Sequence, residues 1–231
     1  MTTRASMKKL YELIQKNFLS LRPTNLLKKE RISKQSPLIT ISRETGSGGR
    51  PIAVMVAKKL GYPWKVFHKE IVDELSKMTH LEKNLIRDVD ENTIPLAEEV
   101  ISDFFGKRYL NLNSYHKSLV KVLSAVGQQG FAIIVGRGAH YLFPHALKVR
   151  VICEMHQRVT WVMEYEHVPE KEAKRRIEAS DRRRIEFEES VFRHDPRKAH
   201  HYDLVIRTGP DLSIEDATDI IVRAAKRRFQ L

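Results

Sequence analysis

The chain is poor in cysteine: Cys153 is the one thiol among 231 residues. No disulfide framework can form within it, which fits a reducing compartment. Long apolar runs are also missing, and none approaches the ~20 residues of a membrane-spanning helix. The first residues lack the apolar h-region of a signal peptide, so a cytoplasmic location is expected. Glycine and proline are few, at 10 and 9, and no repeat or low-complexity tract occurs, so a mainly disordered chain is not expected. Neither G-x-S-x-G nor H-E-x-x-H appears, which leaves hydrolase chemistry without a nucleophile or a metal. The 10 histidines are scattered and have no paired ligand spacing, so no zinc site is expected and metal ligands stay unassigned.

The cationic surplus is large. Lysine and arginine number 41 against 29 acidic residues, a net charge of +12. That balance suits nucleotides, nucleic acid or an acidic membrane surface without choosing among them. An apolar share of 42% is enough for a core. Residues 1–36 differ from the rest. Ser6–Leu21 reads as an amphipathic helix, closed by Pro23 and followed by a basic connector, NLLKKERISKQSP. It packs either on the body, the favoured reading, or on a partner or membrane surface.

From Leu38 onward, apolar segments alternate with helical ones. Strands are expected near 38–42, 64–67, 131–135, 148–153 and 203–207. Helices are expected over Pro51–Leu60, from about His68, over 81–106 with a break near Thr93–Pro95, and over Asn111–Gln129, His156–Glu166, Pro169–Phe192 and Ser213–Phe229. Ser213 and Asp216 there suit a capping box. The alternation predicts a parallel, doubly wound α/β sheet with ligands at the C-terminal ends of the strands.

The central stretch is LITISRETGSGGRPIA, Leu38–Ala53. A buried strand, a loop with Gly46, Gly48 and Gly49, and a helix in that order make an anion cradle of backbone N–H groups and a helix N-terminus. Against the phosphate-loop pattern G-x-x-x-x-G-K-[ST], with Gly48 as the second glycine, Arg43 takes the first glycine position. Gly49 then takes the lysine position, Arg50 follows it, and Pro51 stands where a Ser or Thr would be welcome to Mg²⁺.

Two further stretches bring arginines to the same edge. Arg137 lies between Gly136 and Gly138 directly after a buried strand, where it can clamp a phosphate. The helix around Asp181 carries Arg175, Arg176, Arg182, Arg183 and Arg184. Helical spacing puts Arg176, Arg183 and, less closely, Arg184 near one face, but interspersed glutamates also suit a solvated, salt-bridged surface. Aromatic residues are few there, so no nucleic acid partner is expected.

As a set, SRETGSGG after a strand, VGRGAHYL, KRRIEASDRRR and YDLVIRT resemble the cytidylate kinase-like family of P-loop nucleoside monophosphate kinases. The resemblance covers about residues 37–228. It implies a P-loop NTPase fold of three α/β/α layers, with a five-stranded parallel sheet, a helical NMP-binding insert and a lid. Residues 37–231 would be the kinase domain and 1–36 an extension. It implies transfer of a phosphoryl group from ATP, with Mg²⁺, to a nucleoside monophosphate, CMP or dCMP foremost. A nucleotide-binding pseudokinase or regulator is the alternative. By the same resemblance Thr45, Gly46, Ser47, Gly48, Gly49 and Arg50 would wrap the ATP phosphates. Gly136, Arg137, Gly138 and Asp73 would hold the acceptor. Arg50, Arg176, Arg182, Arg183 and Arg184 would neutralise the group in transfer. Two departures stand out. Cytidylate kinases proper have a lysine where this chain has Gly49, with Arg50 a possible substitute cation, and they have Gly-Arg-Asp where this chain has Gly136-Arg137-Gly138.

Overall fold

The structure, a computed structural model, describes residues 36–70, 72–73, 105 and 112–231. The helix expected over 6–21 lies outside the described residues, and so does the stretch 81–106 apart from Phe105. The strands are β1 Leu38–Arg43, β2 Lys65–Phe67, β3 Ala132–Val135, β4 Leu147–Cys153 and β5 Leu204–Thr208. They form one parallel sheet in the order β2-β3-β1-β4-β5. Each expected strand is present, with ends within one residue of those read from the sequence.

Inner strands of a parallel sheet are apolar on both faces. Leu38, Ile39 and Ile41 of β1 are fully buried, and so are all four residues of β3. β2, at the edge, is only 3 residues long, and a short edge offers little to a passing strand. The register runs from Leu38↔Ala132 to Ile41↔Val135 on one side of β1 and from Ile39↔Leu147 to Arg43↔Val151 on the other. The C-terminal ends of β3, β1 and β4 are therefore side by side, and the loops that follow them share one edge.

The helices are α1 Gly49–Leu60, α2 Ser114–Gln129, α3 Ala139–Leu142, α4 Met155–Glu166, α5 Glu170–Phe192 and α6 Ile214–Phe229. Apolar residues of α1 (Ile52, Ala53, Val56) and α6 (Ala217, Ile221, Val222, Ala225) share a core with Ile39, Ile41, Ile133, Val149 and Val151. Each large side chain buried there contributes about 1.5–3 kcal/mol. α6 starts with the expected capping box: Ser213 Oγ accepts from the Asp216 amide, and the Asp216 carboxylate accepts from the Ser213 amide. α2 starts three residues later than expected because the Asn113 side chain caps it, accepting from the His116 amide at 2.8 Å. α4 and α5 pack on each other through Val159, Val162, Ala173 and Ile177. The short α3 and a 3₁₀ turn at Ala199–His201 had no counterpart in the sequence pattern; neither is long enough to show a period.

Candidate active site

The loop between β1 and α1 is tied down from below. Ser47, fully buried, donates its hydroxyl to the carbonyls of Glu44 (2.9 Å) and Val151 (3.2 Å). Thr208, at the end of β5, donates to the Ser47 carbonyl at 2.9 Å. Gly48 takes a left-handed conformation, φ 81°, at the N-cap of α1, which glycine does without steric cost. No side chain caps this helix, and its first turn holds no acidic residue. The first-turn N–H groups of Gly49 and Arg50 have no intrahelical acceptor, as at any helix start, and carry the positive end of the helix dipole.

The middle of α5 folds against that loop. Asp181 accepts from the Thr45 amide and from Thr45 Oγ1, both at 2.8 Å, and pairs with Arg158 Nη1 at 2.5 Å. Arg184 donates through Nη1 to the Arg43 carbonyl at 2.9 Å and through Nη2 to Thr45 Oγ1 at 2.5 Å and Ser180 Oγ at 2.9 Å. Burial is the main cause that lowers the Arg184 pKa, with Asp181 and Glu188 pulling it back. Glu44 helps to fix the same corner. Its carboxylate accepts from the Cys153 amide at 3.1 Å and lies 3.9 Å from both Arg150 and Arg158.

The second wall follows β3. Gly136, Arg137 and Gly138 all have positive φ, at 79°, 60° and 67°. Arg137 donates through Nη2 to both carboxylate oxygens of Asp73, at 2.6 Å to Oδ1. Tyr115 donates to the same Oδ1 at 2.9 Å, and burial pushes the Tyr115 phenol up to about 12. The Arg137 guanidinium also sits 5.2 Å from the ring centre of Phe187, on α5. One helix thus touches both walls. Arg137 Nε is buried without a hydrogen-bond partner among the described residues.

Behind the crevice, Glu188 is 3% exposed. Burial drives its carboxyl up to about 7, against the pull of Arg150, Arg43 and Arg184. His140 Nε2 lies 3.8 Å from it, and burial pushes that imidazole down to about 3. Tyr141 stacks on His194, and Tyr202 lies beside His140, so the segment after α5 serves as aromatic packing.

The structure therefore brings together Thr45, Gly46, Ser47, Gly48, Gly49 and Arg184 at one wall, and Gly136, Arg137, Gly138 and Asp73 at the other. It sends other candidates elsewhere. Arg50 is exposed and faces Glu70 at 3.8 Å. Arg176 is bound at 2.7 Å by both Glu172 and Glu166. Arg182 and Arg183 are exposed. Sequence reasoning gave no role to Asp181, Arg158, Arg150, Glu44 or Tyr115. A cation such as Arg150 inside the apolar strand KVRVIC was a readable signal, because a buried strand carries a charge only where a partner meets it.

A parallel 2-3-1-4-5 sheet, a glycine loop from the first strand into its helix, and an arginine-bearing helix laid on that loop define a P-loop kinase-like α/β protein. The chain belongs to the cytidylate kinase-like family, whose profile matches residues 38–210. Among solved structures, an uncharacterized protein from Eubacterium ventriosum superposes with a TM-score of 0.63 at 22% identity, over 84% of this chain and 99% of that one. That likeness is one of fold. A shikimate kinase from Acinetobacter baumannii, solved with shikimate, gives a TM-score of 0.44 at 12% identity, over 82% of this chain and 92% of that one. A curated relative, a uronate isomerase of Corynebacterium glutamicum, is 29% identical over 158 residues, which is 64% of this chain and 30% of that protein. The chain thus spans under a third of the curated relative's length. Among the described residues, no helix is long and apolar enough to cross a membrane.

Proposed function

We infer that the protein transfers a phosphoryl group from ATP to a nucleoside monophosphate, CMP or dCMP foremost, through a kinase domain over residues 37–231. One observation carries the reading: α5 touches both walls, through Asp181 and Arg184 at the glycine loop and through Phe187 at Arg137. Phosphoryl transfer needs little covalent work from a protein and much positioning and charge neutralisation. The loop amides from Thr45 to Arg50 bind the donor phosphates. Arg137, held by Asp73, takes the acceptor phosphate, because a guanidinium offers two parallel donors. Arg184 neutralises the group in flight, and the exposed Arg182 and Arg183 are free to swing in as α5 closes. Closure also excludes water, which protects ATP from hydrolysis.

The family implies Mg²⁺ as the counter-ion of ATP. Such an ion would be held chiefly by the ATP phosphates and water rather than by a cage of protein side chains. Pro51 stands where a hydroxyl would serve, and no group of three or more His, Cys, Asp or Glu among the described residues could hold a metal. The transfer roles above therefore rest on the arginines.

A second reading, nucleotide binding without turnover, is favoured by one contact: the Asp181 carboxylate holds the Thr45 amide that a donor phosphate would use. Incubating the protein with ATP–Mg²⁺ and each NMP and dNMP in turn, and measuring ADP, separates the two. ADP above background with a pyrimidine monophosphate is the expected result. A nucleotide-dependent thermal shift with no ADP from any acceptor would establish the second reading instead.

A further inference from the structure

We propose that Arg43 replaces the missing loop lysine: from the end of β1 its guanidinium supplies the cation that neutralises the donor phosphates. The proposal rests on the reading above that the loop binds phosphates, and it goes further by naming the cation.

Three observations support it. The first is steric. An ideal Cβ at Gly49 would lie 2.6 Å from Arg43 Cβ and 2.9 Å from its Cγ. Position 49 can therefore carry no side chain while Arg43 is present, and the stem of Arg43 runs where a lysine there would start. The second is the course of the side chain. A Cβ at Gly136 would meet Arg43 Nη1 at 2.0 Å and Cζ at 3.1 Å. The guanidinium thus passes over Gly49 and ends against the first residue of the second wall, between the two anion-binding walls. Two glycines are emptied for one side chain.

The third is partnership. The other half-buried or buried arginines of this edge have partners: Arg137 has Asp73, Arg150 has Glu44, Arg158 has Asp181, and Arg184 has Thr45 and the Arg43 carbonyl. The Arg43 guanidinium is half-buried, yet no hydrogen bond or ion pair to it occurs among the described residues. Burial, then the neighbouring Arg184, lowers its pKa to about 9, with Arg137 adding to the fall and Glu188 and Glu70 opposing it. It remains cationic at neutral pH. A partly desolvated cation among cations is costly until an anion arrives. A phosphoryl oxygen pair is the ligand that a planar guanidinium fits best. Arg50, the nearer choice by sequence, faces Glu70 instead.

The test is calorimetric titration with two probes, inorganic tripolyphosphate and ATP, on the full chain and on three variants. Arg43→Met should lose about 30-fold in affinity for both probes, the size of one charge-assisted interaction. Gly49→Lys alone should lose as much, because the new side chain collides with Arg43. The double variant Arg43→Gly/Gly49→Lys, which clears the collision and restores the ordinary lysine, should return to within about threefold of the parent. Melting curves on each variant report folding. If the parent binds tripolyphosphate and Arg43→Met binds it equally well, the role of Arg43 is overturned and the phosphate loop stands. Failure of a folded double variant to recover binding also overturns the role of Arg43. If the parent binds neither probe, both readings are overturned.

Discussion

The two halves of α5 have much the same composition and very different surroundings. In the first half, Arg175 and Arg176 are exposed and satisfied by Glu172, with Glu166 adding a second partner to Arg176. Here i,i+3 and i,i+4 spacing pairs acid and base along the helix's own surface. In the second half, Asp181 and Arg184 lie three residues apart, yet beside the local bond from Arg184 to Ser180 Oγ their hydrogen bonds go to Thr45, Arg158 and the Arg43 carbonyl, far away in sequence. A run of charge is therefore not one feature. Its role changes where the helix passes from solvent onto the edge of the sheet.

This contrast yields testable differences, taken from the largest. Arg184→Ala should cut transfer by about 100-fold, the scale for losing a preorganised donor to developing charge. A loss of less than about fivefold in steady-state kinetics would put Arg184 with the outer half. Asp181→Asn takes from Arg158, only 7% exposed at its side chain, its nearer counter-charge and leaves it Glu44 at 3.9 Å. Denaturant unfolding should show a loss of about 2–3 kcal/mol, below the fully buried case because Asp181 keeps some water contact. The same variant should bind tripolyphosphate no more weakly than the parent if Asp181 competes for the Thr45 amide.

A smaller effect concerns Glu188. Its folded pKa of about 7 lies above the ordinary 4.5. The folded state thus holds a proton that the unfolded state has released, so this contribution is whole below about 4.5 and is lost as pH rises through about 7. His140 acts in the opposite sense: with its pKa lowered to about 3 from 6.5, its contribution is present above about 6.5 and lost as pH falls toward 3. Comparing Glu188→Gln with the parent isolates Glu188. The parent's melting temperature should fall relative to the variant's between about pH 5 and about pH 8, and parallel curves would refute the assignment. Smallest of all, Arg176→Ala should lower transfer by no more than about threefold, because its guanidinium is already engaged by two carboxylates at the surface.

Among the described residues, the five strands and the helices α1, α2, α4, α5 and α6 were readable from residue 38 onward. Period and apolar runs such as AIIV report burial directly, and burial fixes the sheet. The glycine loop and Arg137 were readable because a turn after a buried strand must lie at the ligand edge. The partners were not readable. Asp73 came only from the family resemblance, and the structure brings it to Arg137, whereas Asp181, Arg158 and Glu44 gave no local sign of their contacts, since their separations of 23 to 136 residues follow no period. Arg43 was visible as an oddity of the motif, but only the collision with Gly49 shows what the oddity does. The course of a side chain through space is a property of packing, which spacing along the chain does not encode.

α6 begins with two side chains of its own closing the first turn, whereas α1, packed beside it in the same core, begins with none. A phosphate seated at α1 would thus complete a helix that the chain leaves open, and folding and binding become one linked equilibrium. At a ligand concentration 100 times its dissociation constant, that linkage adds about 2.7 kcal/mol to the stability of the fold. A nucleotide bound there would then act as a structural component, and protein made in its absence would be the form most exposed to proteolysis at the α1 end.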